Sequence, residues 1–198
     1  MKKGVLGKRF KQLERLEKDE ELRESYRALI REYIDLGRMS KLTSKETPSM
    51  QRGDSYYLPY HGAFKQNSIT TKLRVVFDGS ATIDTGISLN DTLMVGPKLQ
   101  YNFFDILLRF RKYSVVMGAD IVKTYRQVQV KQEHRNLQRI LWRFNREEPI
   151  QTYVLNTVTY GTACASFLSI RCLYQTALDN LDIYPEASKT ILKDFYVV

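Results

Sequence analysis

Apolar positions recur with helical spacing at the N-terminal end of the chain. Phe10, Leu13 and Leu16 share one face, and Leu22, Tyr26, Leu29, Tyr33 and Leu36 follow at intervals of three and four. The spacing predicts two helices over 8–36, with Asp19 capping the second and Gly37 placed to end it. The stretch 38–55 is polar, holds Pro48 and Gly53, and reads as a linker. In 55–64, "SYYLPYHGAF", aromatic residues crowd around Pro59, which bars a helix and predicts extended chain. The period shortens to two in "TTKLRVVFDGS" (70–80). Lys72 and Arg74 face one way there, Leu73 and Val75 the other, and "DGS" closes the strand as a turn.

Residues 81–97 read as loop. Pro97 can open a helix in which Leu99, Phe103, Ile106, Leu107 and Phe110 keep period through Arg111. "YSVVMGAD" (113–120) is an apolar run ending in a carboxylate and predicts a buried strand. "RILWRF" (139–144) and "PIQTYVLN" (149–156) predict a hairpin. A helix carrying Phe167, Ile170, Leu173, Tyr174, Ala177 and Leu178 comes next. The final "LKDFYVV" is rich in aromatic and β-branched residues, as a buried strand is. Helices interleaved with antiparallel hairpins predict an α+β fold.

Charge adds a second layer. The 198 residues carry a net charge of +9, which favours an anionic partner. The excess is local. Eleven Lys and Arg face three carboxylates between Lys98 and Arg146, whereas 1–47 mixes thirteen basic with nine acidic residues. The first segment suits a phosphate-bearing surface and the second a solvated helix face. Cys164 and Cys172 lie about 12 Å apart along one helix at ~1.5 Å per residue, too far for a disulfide. That fits a reduced, intracellular setting. His61 and His134 stand alone, without zinc spacing. No apolar run reaches the length of a membrane span, and the start lacks the apolar stretch of a secretory signal.

Three places could carry chemistry, and each has a plainer reading. Asp120 closes an apolar strand; it either caps a short helix over 121–126 or holds a divalent cation beside Lys123, Tyr125 and Arg126. Lys72 and Arg74 form either an ordinary solvated strand face or a grip on a triphosphate. Gly161 serves either helix entry or close backbone approach to a ligand.

Taken in order, "YYLPYHGAFKQNSITTKLRVVFDGSA", "SLNDTLMVGPKLQ", "DILLRFRKYSVVMGADIVKTYRQVQV", "RILWR", "EPIQTYVLNTVTYGTACASFLSIRCL" and "LKDFYV" resemble the reverse transcriptase of LTR retrotransposons, of the Pao/BEL group. "LEKDEELRESYRALIREYIDLGRMS" resembles that family's lead-in. The resemblance spans nearly the whole chain. It implies a right-hand polymerase fold: a helical lead-in over 1–47, a fingers-like region over 48–112, and a partial palm over 113–198. It implies RNA-directed DNA polymerisation with Mg²⁺, on an RNA or DNA template-primer and a deoxynucleoside triphosphate, in the cytoplasm or a virus-like particle. Asp120 matches the first catalytic, metal-binding aspartate, and the backbone carbonyl of Ile121 assists it. Tyr125 matches the aromatic that screens the sugar 2′ position. Lys72 and Arg74 match the triphosphate clamp, and Tyr160 and Gly161 the turn before the template-contacting helix.

Such chemistry uses two metals about 3.5–4 Å apart, which several carboxylates must hold. The family takes the others from an Asp-Asp pair directly after an aromatic-apolar lead, matched here by Phe195-Tyr196-Val197. The next residue is Val198. Two further departures are Val122, where family members have Glu, and Ser166, where they have Pro. The expectation is therefore a fingers and partial-palm piece, inactive alone as a polymerase. A non-catalytic nucleic-acid-binding module and a partial reading frame without a function of its own are the alternatives.

Overall fold

The computed structural model describes residues 19–43, 55–64 and 73–197, together with residue 14. The expected first helix, most of the 38–55 linker, Lys72 and Val198 lie outside the described residues.

Helix α1 spans Glu20–Asp35. The Asp19 carboxylate accepts from the Leu22 amide at 3.0 Å, as the N-cap reading expects. At the other end Gly37 takes φ +65°. Its amide donates to the Ile34 carbonyl at 2.9 Å, and the Arg38 amide donates to that of Tyr33 at 2.8 Å. That pair of bonds is a Schellman closure, which glycine enters at no steric cost. Tyr26, Ile30 and Tyr33 form the buried face.

The chain then turns directly into strand β1, Met39–Lys41. The polar linker reading missed it, because three residues are too few to show a period of two. β1 pairs antiparallel with β5 (Gln151–Leu155), with Met39 opposite Leu155. β5 also pairs with β4 (Arg139–Trp142), giving the order β1-β5-β4 and the expected hairpin. A second sheet holds β2 (Tyr60–Phe64) and β3 (Leu73–Phe77). Leu73, Val75 and Phe77 point inward, while Arg74 and Val76 point out. The two antiparallel sheets and the helices make an α+β fold.

One core joins these parts. Tyr26 and Ile30 of α1, Met39, Tyr56, Leu58, Tyr60, Phe77, Ile140, Trp142 and Leu155 pack together. The Trp142 and Tyr26 rings stack at 6.2 Å. The Tyr60 hydroxyl donates to the Leu141 carbonyl at 2.7 Å. This core draws on all three segments that the sequence divides at 47 and 112.

Helix α2 (Leu89–Thr92) opens on a capping box in which Ser88 and Asp91 bond reciprocally, inside a stretch expected to be loop. Helix α3 runs over Phe103–Phe110, starting six residues after Pro97. Helix α4 (Ala165–Asp179) matches the expected apolar helix. Helix α5 (Pro185–Asp194) starts on a proline in its first turn. Among the described residues no helix is long and apolar enough to cross a membrane. Both cysteines are free thiols.

Two expected strands are absent from the described residues. Residues 113–120 are irregular and exposed, with Val115 81% and Met117 92% accessible. Apolar residues make a strand only beside a partner, and neither sheet extends to this segment. The terminal stretch also differs. Leu192–Asp194 belong to α5, and Phe195–Val197 follow as single extended chain. Pro185 and the i, i+3, i+4 spacing of Ser188, Ile191 and Leu192 extend the helix into it. A side chain takes the place of a neighbouring strand there. The Gln100 amide donates to the Val197 carbonyl at 2.9 Å and accepts from its N–H at 2.8 Å.

Candidate functional site

The segment 120–127 leaves the exposed run and turns into the fold. Lys123 sits in the left-handed region at φ 51°, a cost for a residue with a side chain. Its ammonium pairs with Glu32 of α1, which also meets Arg38 at 3.5 Å. A 3₁₀ turn over Thr124–Gln127 follows and places Tyr125 and Arg126 inside.

Tyr125 is 6% exposed. It packs with Val158 and Ala165, and Val197 leans on the same cluster. Its hydroxyl shares a 2.9 Å hydrogen bond with Ser166 Oγ, so the residue that departs from the family pattern touches the aromatic. The Tyr160 ring stands edge-on to Tyr125 at 4.5 Å. This contact joins segments 35 positions apart.

Gly161 turns the chain after Tyr160 at φ +90°. A Cβ there would overlap the carbonyl oxygen of Phe77, so the close backbone approach is to β3. Asn90 fastens this crossing. Its Nδ2 donates to Ser80 Oγ at 2.9 Å and to the Gly161 carbonyl at 3.0 Å, and its Oδ1 accepts from the Ala163 amide at 2.8 Å. The 160–163 turn is thereby tied to the end of the strand that carries Arg74.

Arg74 is exposed on the outer face of β3. Its charge still acts on the Tyr160 phenol. Burial raises the Tyr160 pKa above its ordinary value, and the Arg126 and Arg74 guanidiniums oppose that rise.

Arg126 is 4% exposed. Its guanidinium lies 4.8 Å from the Tyr33 ring, 5.4 Å from Phe77 and 6.0 Å from Tyr160. Nη1 reaches the hydroxyls of Thr157 and Thr159 at 3.4 Å each. Burial lowers the Arg126 pKa, and the nearby Tyr33 phenol favours the charge. Nε and Nη2 nevertheless make no hydrogen bond of ordinary geometry with any described residue. The sequence places Arg126 beside the aromatic but gives no sign of its burial, since charged residues are mostly exposed.

Asp120 is exposed on the connecting segment and has no hydrogen bond or ion pair with any described residue. It does not cap the 3₁₀ turn, whose N-cap residue is Lys123. The Ile121 carbonyl accepts from the Thr124 hydroxyl at 2.7 Å. Among the described residues no three His, Cys, Asp or Glu side chains gather closely enough to hold a metal ion. Asp120 and one already engaged carbonyl do not fit a pair of dications.

Tyr125, Tyr160 and Gly161 thus meet at one place, with Arg74 within electrostatic reach. Asp120 precedes them on an exposed connection. Tyr33, Phe77, Asn90 and Ser166 complete the site; helical period marks Tyr33 only as part of an apolar face and the resemblance marks Ser166 only as a departure, and nothing in composition or period ties the four to the site. No protein-family model matches the chain, and no curated protein matches it.

Proposed function

We propose that the chain is a reverse transcriptase-like piece of fingers and palm, of the Pao/BEL retrotransposon type, that binds nucleotide and template-primer without polymerising. The observation that carries the reading is the edge contact of Tyr125 and Tyr160 at 4.5 Å. Aromatic faces stack on sugars and bases. Two of them beside a basic strand and a surplus of eight positive charges over 98–146 suit a polyanion with flat bases. Val197, the end of the "FYV" lead, packs on the Tyr125 cluster and so lies near the two rings.

Polymerisation is a separate matter. Two-metal displacement at phosphorus depends on several carboxylates around the reacting oxygens. Asp120 is followed by no Asp-Asp pair at the aromatic-apolar lead, where Val198 stands after Phe195-Tyr196-Val197.

The test measures binding and extension together. Fluorescence anisotropy with an RNA–DNA template-primer should show binding at low salt that weakens steeply as salt rises. Primer extension with magnesium or manganese should give no product. Asp120-dependent extension would overturn the non-polymerising half of the reading. Absence of binding at low salt would overturn the binding half.

A further inference from the structure

Arg126 and Arg139 are equally buried, and among the described residues only Arg139 has every guanidinium nitrogen hydrogen-bonded. Arg139 is 5% exposed. Its Nε and Nη2 donate to Asn136 Oδ1 at 3.2 and 2.9 Å, and its Nη1 donates to the Tyr57 hydroxyl at 3.5 Å. Among the described residues Arg126 donates through Nη1 to two threonine hydroxyls and is close enough to the Tyr33 phenol to be favoured by it, while Nε and Nη2 make no hydrogen bond of ordinary geometry. Nε and Nη2 carry the parallel N–H bonds of the guanidinium's side edge. That edge matches the two oxygens of a phosphate or carboxylate. A buried, charged donor left without a partner is costly, enough to matter in a fold of ordinary stability. No carboxylate among the described residues forms an ion pair with Arg126.

We propose that the Nε–Nη2 edge of Arg126 is a receptor for a phosphate group, which reaches it by displacing the Tyr160 ring. Three rings shield the guanidinium. Tyr33 and Phe77 are buried, while Tyr160 is 42% exposed and sits on the Gly161 turn. Net charge and the Arg74 guanidinium draw anions to this mouth. The proposal deepens the nucleotide reading, which enters only as the source of the phosphate.

The test uses the full chain, with inorganic pyrophosphate and dATP as probes, and compares it with Arg126→Met and Arg126→Lys. Titration calorimetry reads affinity and thermal unfolding reads stability. Pyrophosphate should bind the parent and lose at least about tenfold in affinity in both variants, because a lysine ammonium cannot form the fork. Arg126→Met should unfold no earlier than the parent, since an unpaired buried charge has been replaced by an apolar side chain. Parent-like pyrophosphate binding by Arg126→Lys would overturn the proposal. So would a parent that does not bind pyrophosphate while Arg126→Met unfolds much earlier. That pattern would mean that the edge is already filled within the fold. Arg126-dependent pyrophosphate binding with no affinity for dATP or template-primer would uphold the receptor and overturn the nucleotide reading.

Discussion

Gly161 and Phe77 meet backbone to backbone: a methyl group on residue 161 would occupy the position of the Phe77 carbonyl oxygen. The turn carrying Tyr160 therefore lies directly on the strand carrying Arg74. Gly161→Ala has to move one of the two main chains and to hold φ +90° with a side chain. The expected loss is at least about 2 kcal/mol, read by urea denaturation, with unchanged stability as the contrary result. Tyr160 fluorescence or ring-proton shifts should change in the same variant, because its anchor has moved.

Asn90 secures that crossing from the α2 side. Asn90→Ala removes three side-chain hydrogen bonds and leaves the Ala163 amide without its acceptor. A loss of about 1–3 kcal/mol is expected. Amide exchange at Ala163 should accelerate more than exchange at Ile140 in the β4–β5 hairpin. Equal acceleration at both would mean that Asn90 supports the whole fold and not this turn.

Tyr26 buries its hydroxyl in the main core with no hydrogen-bond partner among the described residues. Tyr26→Phe deletes that unpaired group and should stabilise the protein by about 1 kcal/mol. Burial raises the Tyr26 pKa above its ordinary value of 10.0. The folded chain then keeps a proton that the unfolded chain releases. Stability is fully present below about pH 10 and is lost as pH rises beyond it. The Phe variant should lack this share of the alkaline loss, as denaturation midpoints between pH 9 and 11, roughly, would show.

Acid acts through Asp91 in the opposite sense. The backbone and then the hydroxyl of Ser88 hold its pKa below the ordinary value. Its contribution is present above the unfolded aspartate range and is lost as pH falls through the lowered folded value. Ser88→Ala should flatten the stability profile below about pH 4. An identical acid profile in parent and variant would contradict the capping-box account.

Local signals made much of the fold legible. Asp19, Gly37 and the spacing of Leu22, Tyr26, Leu29, Tyr33 and Leu36 announce α1 and both its ends, though Ile30 rather than Leu29 fills the buried face. Alternation announces β3, and two apolar runs around 145–148 announce the hairpin. Short or partner-dependent elements were not legible. Three residues of β1 carry no period. "YSVVMGAD" has strand composition but no strand beside it, and "LKD" in the terminal stretch completes a helix begun at Pro185. At the site, the order of motifs names Tyr125, Tyr160 and Gly161. Their meeting depends on long-range packing that no window of sequence contains. Arg126 is the clearest case, because burial of a cation with no ion pair among the described residues contradicts the rule by which a sequence is read.

Photocrosslinking tests the central claim most directly. A template-primer with 4-thiothymidine at the primer 3′ end is bound to the full chain, irradiated, and mapped by mass spectrometry. The account predicts crosslinks at Tyr125 or Tyr160 and their loss in competition with unlabelled template-primer. Crosslinks confined to the exposed apolar residues of α3, or none at Tyr125 and Tyr160, would contradict it.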